Sequence, residues 1–134
     1  MTHSIEKTLI IGAPPATVWA FLTQADELAR WFHRPKSDLS EGQDFEMPGE
    51  DGNPLVWGHV HEATAPRTLR FSFTARPMGD LVSEVSYALT AVEAGTRLNL
   101  VHSGFPAGAE AFGLLTAFDA GWDSHLTRMR DSIA

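Results

Sequence analysis

The sequence predicts an α+β fold in which helices lie on one face of an antiparallel sheet. Three observations carry this. Apolar and polar residues alternate through "RTLRFSFTA" and "LVSEVSYALTAV", the period of strands with one buried and one wet face. From about residue 108 to 133 the period changes, with Phe112, Leu115, Phe118, Trp122, Leu126, Met129 and Ile133 spaced by three or four, as in one long amphipathic helix. Strand-like and helix-like segments are also grouped rather than interleaved, which indicates segregated layers.

Taken in order, "SIEKTLIIGAPP" reads as a strand over about residues 4 to 11, broken by Gly12 and Pro14-Pro15. Pro15 suits the first turn of a helix, where its missing N–H is not needed, and Val18, Phe21 and Leu22 follow at helical spacing. "ADELARWF" predicts a second short helix, with Asp26 and Glu27 at its electropositive start and Leu28, Trp31 and Phe32 on its apolar face. The next stretch, "HRPKSDLSEGQDFEMPGEDGNPLVWG", is dominated by Pro, Gly, Asp and Ser and reads as a loop-rich hairpin, with "DFEM" as a short strand before the turn at "GEDGN".

Three punctuated strands follow, "LVWGHVHEATA", "RTLRFSFTA" across a turn at Pro66, and "LVSEVSYALTAV". In the second, Leu69, Phe71 and Phe73 share a face; in the third, Val85, Tyr87 and Leu89 do. "EAG" turns into a last strand, "TRLNLVHSG", in which Leu98, Leu100 and His102 lie opposite Arg97, Asn99 and Val101. The final helix contains "FDAGWDSHLTRMR", and its Gly121 costs about 1 kcal/mol relative to alanine in a helix interior. A glycine there implies room, either for close approach to the sheet or for volume beside Trp122.

Composition bounds the function. At 134 residues, 43% hydrophobic and 20% charged, the chain is expected to form a single domain over residues 1–134 with one core. Ten Lys+Arg against seventeen Asp+Glu leave a net charge of −7, and no basic run is present, which argues against nucleic acid and anionic membrane surfaces. The absence of cysteine removes disulfides, thiolate metal sites and thiol nucleophiles, and suits a reducing cytoplasm. Leu9 to Ile11 is too short for a signal-peptide core, and no window approaches a membrane span. The expectation is a cytoplasmic protein without membrane insertion.

With the order of elements in place, four stretches resemble the START-like (SRPBCC) superfamily of helix-grip folds, in the branch named after the activator of a heat-shock chaperone's ATPase. They are "APPATVWAFLTQADELARWF", "GHVHEATAPRTLRFSF", "TRLNLVHSGFP" and "GWDSHLTRM", and together they cover most of the chain in the right order. The resemblance implies a curved antiparallel sheet wrapped around the C-terminal helix, with a mainly apolar cavity between them. A full activator of that type also has a separate N-terminal domain, for which 134 residues leave no room, so the label is not carried over as a function.

Candidate site residues follow from the faces. Trp31, Phe71, Phe73, Phe118 and Trp122 form an aromatic lining, or simply core. Tyr87, the only tyrosine, is inward-facing and is either the pocket's polar handle or core packing. His102 lies with Leu98 and Leu100, and His125 lies three residues from Trp122, so both can reach a cavity; there each would orient a ligand, act as acid or base, or serve as a satisfied structural histidine. His59 and His61 share a strand face, a spacing that can hold a metal, but Val60 facing inward would put them on the outer face without a third ligand nearby in sequence, so no metal is expected. No G-x-S-x-G elbow, Gly-rich phosphate loop or poised carboxylate pair is present, and no cofactor is expected.

The expectation is therefore a small binding protein that holds an apolar or amphipathic small molecule between sheet and last helix, more a binder than an enzyme. Relatives in the superfamily include polyketide cyclases and aromatases, so a cyclase-like enzyme is the alternative; a third reading is a protein-interaction or chaperone-regulating module, with a homodimer possible. The interaction reading expects an exposed apolar patch, and the binding reading expects a cavity.

Overall fold

The computed structural model describes residues 2–133. Strand β1, Thr2–Ile11, stops at the glycine and prolines that follow it. Helix α1, Pro15–Thr23, opens on that proline and buries Val18, Phe21 and Leu22. Helix α2, Ala25–Trp31, follows after a single extended residue, Gln24. Its first N–H, on Ala25, donates to Oδ1 of Asp38 at 2.8 Å, so one of the helix's orphan donors is capped from downstream.

The segment after α2 is held in place by backbone pairing. Lys36 N–H donates to the Glu46 carbonyl at 3.0 Å, Leu39 N–H to that of Thr23 at 2.8 Å, and Gly42 N–H to that of Val60 at 2.9 Å. These bonds join residues far apart in sequence, which local pattern does not show. The remaining strands are β2, Asp44–Pro48; β3, Pro54–Thr64; β4, Thr68–Ala75; β5, Ser83–Val92; and β6, Gly95–Pro106. A 3-10 turn, Arg76–Met78, which the sequence reading did not anticipate, joins β4 to β5.

The six strands form one antiparallel sheet in the order β1-β6-β5-β4-β3-β2. The connection from edge strand β1 to edge strand β2 carries α1 and α2, and hairpins make every later strand connection. Register brings the expected inward faces together, pairing Leu69 with Tyr87, Phe71 with Val85, Val85 with His102 and Tyr87 with Leu100, all of them buried. Close approach shapes the sheet at one glycine: a Cβ on Gly58 would lie 1.9 Å from the Ser72 carbonyl oxygen, so β3 and β4 can meet there only without a side chain.

Helix α3, Ala109–Ile133, lies against this sheet. Its C-terminal half is anchored by buried Trp122, Leu126 and Met129, each worth about 1.5–3 kcal/mol of burial for residues of this size. Lys7 Nζ on β1 sits 2.9 Å from both Asp119 and Asp123, and Arg30 on α2 donates to the Ser132 carbonyl at 3.1 Å. The N-terminal half differs from the single buried stripe that its period suggests. Phe112 is 67% exposed, and Leu114, Leu115 and Phe118 are only half-buried. The architecture is the curved sheet and long helix of the helix-grip fold, with two short helices after the first strand.

Candidate functional site: a cavity under the last helix

The gap beneath α3 is a cavity of about 210 Å³. Each wall comes from a different element. Trp122 and Phe118 project from α3, Phe73 from β4, and Phe32 from the residues that leave α2; Gly121 completes the helix side. Phe32 stacks on Trp122 with ring centroids 5.6 Å apart and planes 8° from parallel, while Phe73 stands edge-on to Phe118 at 6.1 Å. An alanine Cβ at Gly121 would have nothing within 4 Å, so this glycine opens space rather than permitting close packing.

The polar groups of the cavity are few. His125 and His33 line one end, their ring centroids 5.8 Å apart, and exposed Arg76 lies at the rim beside Pro77. His125 Nδ1 is 3.1 Å from the Trp31 carbonyl oxygen, which can only accept, so Nδ1 carries the proton in that bond. Burial lowers the pKa of both histidines, aided for each by the nearby Arg128 and for His33 by His125. Both rings are therefore neutral at pH 7. Arg76 is engaged at the rim with Asp51 at 3.2 Å and with the Asn53 and Pro54 carbonyls.

Behind the cavity wall lies a buried relay. Trp122 Nε1–H donates to His102 Nδ1 at 2.9 Å; since indole can only donate, His102 carries its proton on Nε2. That nitrogen is 2.7 Å from Ser83 Oγ, whose own hydrogen goes to the Phe73 carbonyl at 2.6 Å. The chain therefore runs Trp122, His102, Ser83, Phe73 and ends on a carbonyl, with every donor used. His102 is fully buried, with Phe73, Phe105, Phe118 and Trp122 around its ring, and burial pushes its pKa down to about 4.

The sequence-derived residues divide accordingly. Phe73, Phe118, Trp122 and His125 border the cavity. Trp31, Phe71, Tyr87 and His102 stand behind it. Trp31 is rooted between α1 and α2 by its indole N–H, which donates to the Phe21 carbonyl at 2.7 Å. Phe71 packs edge-on against Phe45 at 5.2 Å, and Tyr87 packs against Phe71 and edge-on against Trp122. The tyrosine is buried, with burial raising its pKa, and no hydrogen bond to its hydroxyl is found among the described residues.

His33 and Arg76 were not singled out from sequence. His33 lies two residues past the end of α2, inside the stretch where no periodicity operates, so no local pattern marks it. The outer-face histidines also gained partners from other strands, His59 with Asp44 at 2.6 Å and His61 with Glu84 at 3.2 Å. Among the described residues no group of three or more such side chains is arranged to hold a metal. No helix among them is long and apolar enough to cross a membrane.

A second depression, about 820 Å³ and wide open, lies along β2 and β3 between Lys36, Glu46 and Trp57. It is larger, but charged side chains border it and Lys36 pairs with Glu46 across it. The smaller, aromatic cavity has the apolar walls and sparse polar groups of a small-molecule site.

Comparison with known proteins agrees with this architecture. Residues 12–134 match the family model described as Activator of Hsp90 ATPase homolog 1-like protein. Among solved structures, protein MLL2253 from Mesorhizobium loti is similar with a TM-score of 0.85 at 22% identity, covering 96% of this chain and 95% of that one. CalU16 from Micromonospora echinospora is similar at 0.77 and 28% identity, covering 99% and 76%. The Aha1 dimer from Colwellia psychrerythraea is similar at 0.82 and 19% identity, covering 98% and 96%. Among curated proteins, none matches the chain.

Proposed function

The chain belongs to the family of Activator of Hsp90 ATPase homolog 1-like proteins, and within that family we propose that it is a binding module for an apolar or amphipathic small molecule, held between the sheet and α3. One observation carries this reading: an aromatic-walled cavity under α3 whose helix side is a glycine with open space where a side chain would stand. A ligand seated there would gain dispersion contacts with the aromatic walls and remove apolar surface from water. The negative charge of the chain and the neutral state of His33 and His125 favour uncharged ligands over nucleic acid or phosphate.

Native mass spectrometry of the freshly purified protein, set against its denatured mass, tests for a retained molecule. A thermal-shift screen of lipids, aromatic polyketides and sterol-like compounds then tests for binding, since a ligand specific to the native state raises the melting temperature by mass action. A retained adduct or a specific shift supports the reading. An empty protein that no compound stabilises contradicts it.

Protein docking is a second reading, favoured by the exposure of Phe112 at the start of α3 and Val82 before β5, at 67% and 64%. A partner could be a chaperone, as the family description suggests, or a second copy, as the dimeric relative suggests. The same native spectrum reports a homodimer directly, and stimulation of an Hsp90 ATPase that Phe112→Ser abolishes would favour the chaperone partner.

A further inference from the structure

We propose that the cavity selects a flat apolar ring system bearing a hydroxyl donor, a phenol or an enol, and that Nε2 of His125 accepts its hydrogen bond. This rests on the binding reading above and names its ligand class.

The tautomer supplies the first step. His125 Nδ1–H is committed to the Trp31 carbonyl, and in a neutral ring the other nitrogen then has a lone pair and no proton. Among the described residues no side chain donates to Nε2, so the one uncommitted polar atom of this cavity-lining ring is an acceptor. A ligand that complements it must bring an O–H or N–H. The ring cannot serve a carbonyl or ether oxygen without a change of tautomer that would break the Trp31 bond.

Wall geometry supplies the second. The Phe32 and Trp122 rings stack on one another nearly in parallel, and His125 stands edge-on to Phe32 at 4.8 Å. A planar ligand extending that stack brings its edge, where a ring hydroxyl sits, to the imidazole. The volume of about 210 Å³ is below the roughly 300–1,000 Å³ of sites for drug-sized ligands, so a single or fused bicyclic ring system is enough to occupy it.

Charge supplies the third. Arg128 donates to the same Trp31 carbonyl at 3.4 Å and Arg76 stands at the rim. The Arg128 guanidinium near the polar end disfavours an ammonium donor, while a hydroxyl, whose oxygen becomes more negative as it donates, is favoured.

Binding of 2-naphthol and of its methyl ether, 2-methoxynaphthalene, measured by titration calorimetry at pH 7, tests the proposal. The two share the ring and differ in the donor. The wild type should bind the naphthol about five- to tenfold more tightly, the worth of one neutral hydrogen bond. In His125→Phe that preference should shrink to near unity, while His125→Gln, whose amide can donate to the Trp31 carbonyl and still offers an acceptor oxygen, should keep part of it. Equal binding of both compounds by the wild type overturns the ligand class but leaves an apolar binding site standing. A full preference that survives in His125→Phe overturns the role of His125. Failure of both compounds to bind overturns the inference, while the binding reading stands or falls on the native mass spectrum and the ligand screen.

Discussion

Trp122 and His102 meet at 2.9 Å, indole N–H to Nδ1, and this contact fixes the proton of a fully buried histidine on its other nitrogen. The cavity wall is thus held from behind by a neutral imidazole. Because burial keeps the His102 pKa near about 4 in the folded protein against an ordinary value of 6.5, the unfolded chain takes up a proton between these values that the native state does not. Stability is therefore full above pH 6.5 and falls as pH drops toward 4, by up to about 3 kcal/mol from this group. His102→Gln can accept from Trp122 and donate to Ser83 without titrating. Chemical denaturation across pH 4–7 should show a shallower pH slope for the variant than for the wild type.

Ser83→Ala removes the relay's exit, leaving the His102 Nε2–H without its acceptor in an apolar surrounding. The expected cost is about 1–3 kcal/mol, that of stranding a buried donor. Urea titration should show a lower midpoint with an unchanged slope.

Gly121→Ala and Gly113→Ala place a methyl where nothing stands within 4 Å, so each should stabilise by up to about 1 kcal/mol through helix propensity alone. They separate in function, because Gly121 borders the cavity and Gly113 does not. The larger Gly121→Leu should fill the cavity and abolish ligand-induced thermal shifts, while Gly113→Leu should leave them intact.

Gly58→Ala is the opposite case. Its Cβ would overlap the Ser72 carbonyl and crowd the Phe45 ring, so the β3–β4 crossing must open. Destabilisation of at least about 1–3 kcal/mol is expected, read as a lower melting temperature.

The contrast between these sites shows what the sequence could disclose. Strand alternation put Leu98, Leu100 and His102 on one inward face, and the structure buries all three, because a period of two is a local property of the backbone. The three-to-four spacing likewise identified α3, and the oddity of Gly121 left close approach and open space as alternatives, between which the structure decides for space. What stayed hidden depended on distances across the fold. Alternation cannot tell that His102 sits behind Trp122 rather than in front of it, since both positions are inward. His33 lies in a segment whose conformation is set by bonds to Thr23, Glu46 and Val60, none of them sequence neighbours, so no pattern marked it for the cavity. The exposed Phe112 continues the helical stripe by spacing alone, and only the course of the sheet decides where that stripe runs out of partners.

The measurement that tests the central claim most directly is a two-dimensional 1H–15N NMR titration of the labelled protein with 2-naphthol. The cavity reading expects saturable shifts confined to the backbone around Phe32–His33, Phe73–Pro77 and Phe118–His125, together with the Trp122 indole N–H. Shifts confined instead to the open groove at Lys36, Phe45 and Trp57, or none at concentrations where related compounds stabilise the protein, would contradict it.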